Sequence, residues 1–291
     1  MRYIINIGKV SFVFMSLALG TAIFADSAVW QIASGSSKVY LGGTVHLLRP
    51  SDYPLPREFE LAYQASSEIY FETDLSAIAD ISVQTQMLNQ LTYQDERTLQ
   101  TVLSAEAYYT LANYVTDIGM QMTMIERFKP GMVISTLQVL EFERLGFTLQ
   151  GVDTYFASLA SRHGKPIGQL ETVMEQIGFL SSMGEGNESE FILFSLEDLE
   201  GVPSVIENMI TAWREGNNDR LAELFVNEMQ TEAPELYDAL LKQRNLNWIP
   251  KIEQMLEDSE TEFVLVGAAH LVGRDGLLEL LSAKGYLVRQ I

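Results

Sequence analysis

Short apolar runs separated by stretches of helical spacing divide the chain into strands and helices. Runs rich in β-branched and aromatic residues predict strands at 38–41, 68–72, 167–170, 263–266 and 286–289. Apolar residues at intervals of three and four predict helices at 57–67, 152–163 and 275–283, and through most of 78–146 and 172–256. Residues 26–37 are expected to form an irregular lead-in to the first strand.

The order of these elements predicts the fold class. Strands alternate with helices at both ends of the chain, and the middle is mostly helical. This order favours an α/β fold with a largely parallel sheet flanked by helices. We expect residues 26–291 to form a single domain that carries a helical insertion, about 78–146 and 172–256.

The first 25 residues have the pattern of a signal peptide. Arg2 and Lys9 precede an apolar run over 10–24, and Ala25 is a small residue suited to cleavage. The run is shorter than the roughly 20 residues of a spanning helix, which favours a cleaved export signal over an uncleaved anchor. We therefore expect an exported protein, periplasmic or secreted, with no stable membrane span once the signal is removed.

Composition excludes several kinds of function. The net charge of −20 disfavours binding to nucleic acid phosphates or anionic lipid. The chain has no cysteine, so it has no disulfide, no thiolate metal ligand and no cysteine nucleophile. Any transition-metal site must therefore use histidine and carboxylate ligands.

Two of the three histidines end the same tetrapeptide pattern, Gly-x-x-His. His46 ends one copy that begins at Gly43, and His270 ends another that begins at Gly267. Each copy follows an apolar strand, and ligands bind at the carboxyl edge of open α/β sheets. Imidazole is a good ligand for divalent transition metals, and the glycines let the backbone come close to an ion or ligand. The repetition predicts one site built from two distant segments.

Charged residues at strand ends could complete this site. Glu72 and Glu171 each close an apolar strand, so each is a candidate metal ligand or general base, and Asp74 could face the same way. Arg244 is expected just before a helix, where it could orient a substrate or stabilise negative charge. Each could equally be an ordinary surface charge in so acidic a chain. His163, at a helix end, is interpreted as structural.

A larger set of motifs resembles a known family. Besides the two Gly-x-x-His motifs, the set comprises Tyr53-Pro54-Leu55-Pro56, Phe71-Glu72-Thr73-Asp74, Gly151-Val152-Asp153, Leu170-Glu171-Thr172, Arg244-Asn245 and the glycines Gly273 and Gly276. In order and spacing the set resembles the TraB/GumN family, which includes the Tiki metalloproteases. That family is similar in fold to erythromycin esterase-like and ChaN-like proteins. The resemblance implies that His46 and His270 are the metal-site histidines, with Glu72 as their acidic partner.

Together, the residues and the resemblance predict a divalent-metal-dependent hydrolase, most simply a peptidase acting on peptides or proteins. His46 and His270 would hold the ion with Glu72 or Glu171, and the other glutamate would take a proton from water. Arg244 would orient the substrate, and Mn, Co and Zn are the candidate metals. Two alternatives stay open: a non-catalytic site for haem or another small ligand, and a peptide-sequestering protein without turnover.

Overall fold

Six strands form a mixed sheet in the computed structural model, which describes residues 27–291. The predicted signal peptide, residues 1–25, lies outside the described residues. The strands are β1 Val29–Ser34, β2 Ser37–Thr44, β3 Glu68–Phe71, β4 Ile167–Gln169, β5 Thr261–Gly267 and β6 Leu287–Gln290. Their order across the sheet is β4-β3-β5-β2-β1-β6.

The middle of the sheet is parallel. Strands β4, β3, β5 and β2 all run in one direction, so their carboxyl ends lie at one edge. The register pairs Thr44 with Gly267 across β2 and β5, and Phe71 with Leu265 across β3 and β5. The predicted α/β class with a largely parallel sheet is therefore confirmed.

Strand β1 was not predicted, and the expectation of an irregular lead-in at 26–37 is wrong. β1 pairs antiparallel with β2 through a tight hairpin, whose turn uses Gly35 at a φ of 60°. Its other edge pairs antiparallel with β6. Its six residues, Val-Trp-Gln-Ile-Ala-Ser, do not alternate between apolar and polar, and the run is too brief to distinguish a strand from a loop.

Fourteen α-helices lie in the described residues. They are α1 Arg57–Ala65, α2 Ile81–Leu91, α3 Leu99–Val102, α4 Ala105–Asp117, α5 Pro130–Arg144, α6 Val152–His163, α7 Val173–Ser182, α8 Glu188–Glu215, α9 Asn218–Ala222, α10 Glu228–Glu232, α11 Pro234–Tyr237, α12 Gln243–Met255, α13 Ala268–Leu271 and α14 Leu277–Ala283. Two π-helical turns, Glu223–Asn227 and Asp238–Lys242, and three 3-10 turns, Pro50–Asp52, Ala77–Ala79 and Met122–Met124, join some of them.

Two hydrophobic cores divide the helices into groups. The larger core surrounds the sheet, and the residues of β5 from Phe263 to Val266 are fully buried in it. A second core joins α4, α5 and α8 through residues such as Leu111, Leu137 and Leu196. The helical stretches before and after β4 therefore pack on each other and form a helical layer with a core of its own.

No helix among residues 27–291 combines the length and the apolar content that crossing a bilayer requires.

A buried carboxylate at the opposite edge of the sheet makes stability depend on pH. Glu262 begins β5 beside Glu68, is 3% exposed, and its Oε2 has no hydrogen-bond partner among the described residues. Burial, reinforced by the nearby Asp258, raises the pKa of Glu262 to about 7. Because this pKa exceeds the ordinary value of 4.5, the folded state loses stability as the pH rises from about 4.5 through 7.

Glu262→Gln should remove this pH dependence, because glutamine does not ionise. We expect the melting temperature of the variant, relative to wild type, to rise between about pH 5 and about pH 8. Thermal unfolding at several pH values measures the difference, with the exposed Glu96→Gln as the control. If the difference in melting temperature between the variant and wild type stays constant across this range, the raised pKa of Glu262 is contradicted.

Candidate active site

The two Gly-x-x-His motifs lie side by side because β2 and β5 are parallel neighbours. His46 follows β2 by two residues, and His270 lies in the single-turn helix α13 directly after β5. A β-carbon added to Gly267 would be 3.9 Å from His46 Nε2 and 3.7 Å from His270 Cδ2. Both imidazoles therefore reach the same small space at the carboxyl edge of the sheet.

His270 is held in one tautomer by Asn245. Asn245 Nδ2 donates to the backbone carbonyls of His270 and Asp275, so its Oδ1 faces His270 Nδ1 as an acceptor at 2.7 Å. Nδ1 therefore carries the proton, and Nε2 presents a lone pair. Burial lowers the pKa of His270 to about 3 in spite of the neighbouring Glu72, so the ring is neutral. A neutral imidazole with a fixed lone pair is suited to bind a metal or accept a proton.

His46 is held by a residue that the sequence analysis did not select, Asp153. His46 Nδ1 lies 2.8 Å from Asp153 Oδ2, which leaves Nε2 facing the site. The Asp153 carboxylate raises the pKa of His46, although the His46 side chain is 65% exposed and solvent screens part of this attraction. Metal binding at Nε2 would have to displace the proton that this environment favours.

Glycine explains how Asp153 reaches His46. A β-carbon on Gly151 would lie 2.2 Å from the His46 carbonyl oxygen, so only glycine lets α6 begin against this loop. The Val152 N–H then donates to the Val45 carbonyl at 3.0 Å. Asp153, in the first turn of α6, is fixed beneath the imidazole. The Gly-Val-Asp motif was a signal for this contact, but a single sequence does not indicate which histidine it would meet.

Glu72 lies between the two motifs. Its Oε1 accepts from the Gly267 backbone N–H at 2.7 Å, and its Oε2 accepts from Gln176 at 3.1 Å. Burial opposes ionisation, but the positive charge of Arg244, the nearby His46 and the Gly267 N–H outweigh it and lower the pKa of Glu72. Glu72 is therefore a carboxylate at neutral pH.

Arg244 joins these groups to Glu171. Nε of Arg244 donates to both Glu171 oxygens, at 3.1 and 3.2 Å, and Nη2 donates to Glu171 Oε1 at 2.7 Å and to Glu72. Nη1 donates to His270 Nε2 at 3.0 Å and to the Leu240 carbonyl at 3.2 Å. The guanidinium is buried, and its five N–H groups are used to hold two carboxylates and one imidazole.

The position of Arg244 differs from the expectation. It is the second residue of α12, not a residue ahead of a helix, and it follows the π-helical turn Asp238–Lys242. One turn further along α12, Trp248 lies with its ring 4.8 Å from the guanidinium. The indole N–H of Trp248 donates to Glu171 Oε2 at 3.2 Å.

Glu171 lies behind the site. Both of its oxygens accept hydrogen bonds from Arg244, and one also accepts from Trp248. Glu171 does not line the cavities that Glu72 lines. Burial raises the pKa of Glu171, in contrast to Glu72. Its contacts indicate a residue that positions Arg244, whereas from the strand ends alone Glu171 and Glu72 are equal candidates for ligand or base.

Asp74 and His163 lie away from the cluster formed by His46, Glu72, Arg244 and His270. Asp74 Oδ1 accepts from the Ser76 backbone N–H at 2.8 Å, so it stabilises its own turn. His163, at the end of α6, lies 3.1 Å from the Tyr63 hydroxyl through Nδ1. Neither residue lines the cavities beside Glu72.

The glycines of the two motifs have different surroundings. A β-carbon on Gly43 would be 3.1 Å from Leu271 and 3.3 Å from the Ala268 backbone, so Gly43 allows β2 to pack against α13. Gly267 instead faces Glu72, at 3.3 Å from a β-carbon placed there. Of the two glycines, only Gly267 lies beside Glu72 and the two histidines, where its missing side chain leaves open space.

Two cavities meet at the cluster. The inner chamber, about 390 Å³, and the middle cavity, about 430 Å³, share a wall. The residues common to both are His46, Glu72, Gln176, Leu240 and Arg244. Thr44 lines the inner chamber and Thr73 lines the middle cavity, and the hydroxyl of each is buried without a hydrogen-bond partner among the described residues.

The donors fit a divalent ion in chemistry, although they are not gathered into a ready ligand cage. Each histidine has Nδ1 on an oxygen acceptor and Nε2 toward the site, which is the usual outer support of metal-binding histidines. In residues 27–291, however, no three His, Asp or Glu side chains are close enough together to hold an ion. Arg244 is bonded to both His270 Nε2 and Glu72. An ion held by these donors would have to replace those two bonds.

Glu171→Gln should destabilise the protein, because it removes one partner of a buried ion pair. We expect the free energy of unfolding to fall by about 3 kcal/mol, measured by urea denaturation. Glu96→Gln, an exposed control, should change it by less than about 0.5 kcal/mol. Unchanged stability with lost activity would instead indicate that Glu171 acts directly on substrate.

Comparison with known proteins identifies the family of the chain. The model of the TraB/PrgY/gumN family matches residues 28–290. An uncharacterized protein of Escherichia coli, YbaP, is 23% identical over 251 residues, which cover 85% of this chain and 89% of YbaP. The metalloprotease TIKI1 of Xenopus tropicalis is 24% identical, over 90% of this chain and 61% of the frog protein. The predicted resemblance is confirmed, and the chain belongs to the TraB/PrgY/gumN family.

Proposed function

We propose that the protein is a hydrolase that cleaves peptide bonds at the cluster of His46, Glu72, Arg244 and His270. The observation that carries the proposal is the orientation of the two histidines. Asp153 and Asn245 hold the Nδ1 atoms, so both Nε2 atoms face Glu72 and Gly267 across one small space. The name of the frog relative, a metalloprotease, supports the same reaction class.

In this proposal His46, His270 and Glu72 are the residues that would hold a divalent ion, once the bonds of Arg244 to His270 and Glu72 are replaced. Such an ion polarises a carbonyl and lowers the pKa of a water. Zn, Mn and Co remain the candidates, since imidazole and carboxylate donors suit all three.

The protein's own residues have separate tasks. Glu72, ionised at neutral pH, can hold positive charge or accept a proton from water at a carboxylate oxygen. The N–H groups of Arg244 are already bonded to Glu171, Glu72, His270 and the Leu240 carbonyl. To orient a substrate carbonyl, Arg244 would exchange one of these bonds, and its positive charge would stabilise the negative charge that develops on the substrate oxygen. The inner chamber is lined mostly by apolar side chains, so a substrate that fills it would displace water and strengthen these electrostatic interactions.

A second function, peptide binding without turnover, is favoured by one observation. Arg244 already satisfies His270 Nε2 and Glu72 Oε2, so the cluster is stable without an ion. A protein that only sequesters a peptide would use the same cavities, and its histidines would serve as hydrogen-bonding groups. Turnover distinguishes the two functions.

His46→Ala should reduce peptide hydrolysis by at least about 100-fold. His46 is largely exposed, so its loss should change stability by less than about 1 kcal/mol. The matched control is His163→Ala, which removes a histidine bonded to Tyr63 outside the site and should retain full activity. Cleavage of a fluorogenic peptide library measures both variants. Equal activity of His46→Ala and wild type would remove the histidine from the mechanism.

Chelation should abolish hydrolysis by the wild type, and one of Zn, Mn or Co should restore it. His46→Ala treated in the same way should regain no activity, because it lacks an ion ligand. In the same samples, the metal content measured by elemental analysis should fall and rise together with the rate of hydrolysis. If hydrolysis survives chelation, the requirement for a divalent ion is contradicted, but the proposal that the protein is a hydrolase is not.

A further inference from the structure

The cluster lies within a longer cleft that has two chemically different ends. The inner chamber and the middle cavity share His46, Glu72 and Arg244 as a wall. Phe179, which lines the middle cavity, also lines a third hollow of about 550 Å³, the outer groove. The ring of Phe179 lies 5.8 Å from the Arg244 guanidinium, so it separates the cluster from the outer groove by the width of one side chain.

The inner chamber is apolar on most of its surface. Beyond the shared wall it is lined by residues including Phe142, Phe147, Met209, Ile210, Phe225 and Met229. Its volume exceeds that of any single aliphatic or aromatic side chain, and methionines allow such a wall to adapt in shape.

The outer groove combines aromatic rings with negative charge. Phe191 and Phe194 join Phe179 in its lining. Four exposed glutamates also line it: Glu185, Glu190, Glu232 and Glu235. No lysine, arginine or histidine lines the groove, and within residues 27–291 none of these glutamates forms a salt bridge. Rings and carboxylates together attract a cation that has an apolar stem, such as a lysine or arginine side chain.

From this arrangement we infer the class of substrate: an extended peptide with a large apolar side chain in the inner chamber and a cationic side chain in the outer groove. The inference rests on the proposed function, since it assumes that a peptide occupies the cleft. The peptide crosses the cluster between the two side chains. Its orientation follows from the inner chamber, because an apolar wall does not suit a cationic side chain.

Synthetic peptides test the inference by binding as well as by cleavage. In a series of fluorescent peptides, each peptide carries one leucine and one lysine. The lysine lies from about two to five residues before or after the leucine. Replacing leucine by alanine should weaken binding at least about tenfold, because roughly three buried methylene groups are lost. Replacing lysine by glutamine should weaken binding about fivefold, and this loss should be smaller at high salt, which screens the charges. Equal binding of all these peptides would overturn the inference.

Variants assign each preference to its end of the cleft. The double variant Glu232→Gln, Glu235→Gln should lose the preference for lysine and keep the preference for leucine. The control, Glu257→Gln with Glu260→Gln, removes two exposed glutamates that line none of the three cavities and should keep both preferences. Met229→Trp, which narrows the inner chamber, should lose only the preference for leucine. If Met229→Trp does not fold, Phe225→Ala, which enlarges the chamber, should shift the preference toward larger side chains.

The two readouts separate this inference from the proposed function. Peptides that bind with both preferences but are never cleaved would contradict hydrolysis and support the substrate class. Cleavage that is indifferent to leucine and lysine would support hydrolysis and overturn the substrate class. A lysine preference that survives in the outer-groove variant would also overturn it, because the cation would then lie elsewhere.

Discussion

The buried guanidinium of Arg244 is the interaction on which the site depends. It bonds Glu72, Glu171 and His270, which come from three separate segments of the chain. Burying a charge is costly unless it is paired and fully hydrogen-bonded, and here each guanidinium nitrogen has an acceptor. The same bonds keep Glu72 ionised and hold the His270 lone pair in place. Stability and chemistry therefore share one set of hydrogen bonds.

Much of the site could be predicted from the sequence because its position follows from strand ends. A strand that closes with Gly-x-x-His delivers an imidazole to the carboxyl edge, and parallel pairing of β2 with β5 brings the two copies together. Glu72 follows from the same rule at the end of β3. Strands β3 and β5 were also predictable, because each contains a short apolar run between stretches of helical spacing.

The remaining features depend on contacts between segments far apart in the sequence. Asp153 and Asn245 resemble any surface acid and amide until α6 and α12 pack beside the histidines. Glu171 closes a strand just as Glu72 does, yet Arg244 and Trp248 of α12 enclose it. Strand β1 was missed because it gains its pairing from β2 and from β6 at the other end of the chain. Local pattern does not contain such information.

The central position of β5 determines when the cluster can assemble during synthesis. This strand lies between β3 and β2 and leads directly into His270, yet it is almost the last part of the chain to be made. Domains fold as their residues become available from the amino end, and pairing over such long separations is slow. A nascent or truncated chain that lacks β5 has no assembled cluster, whatever else has folded. The arrangement thereby delays assembly of the cluster until synthesis is nearly complete.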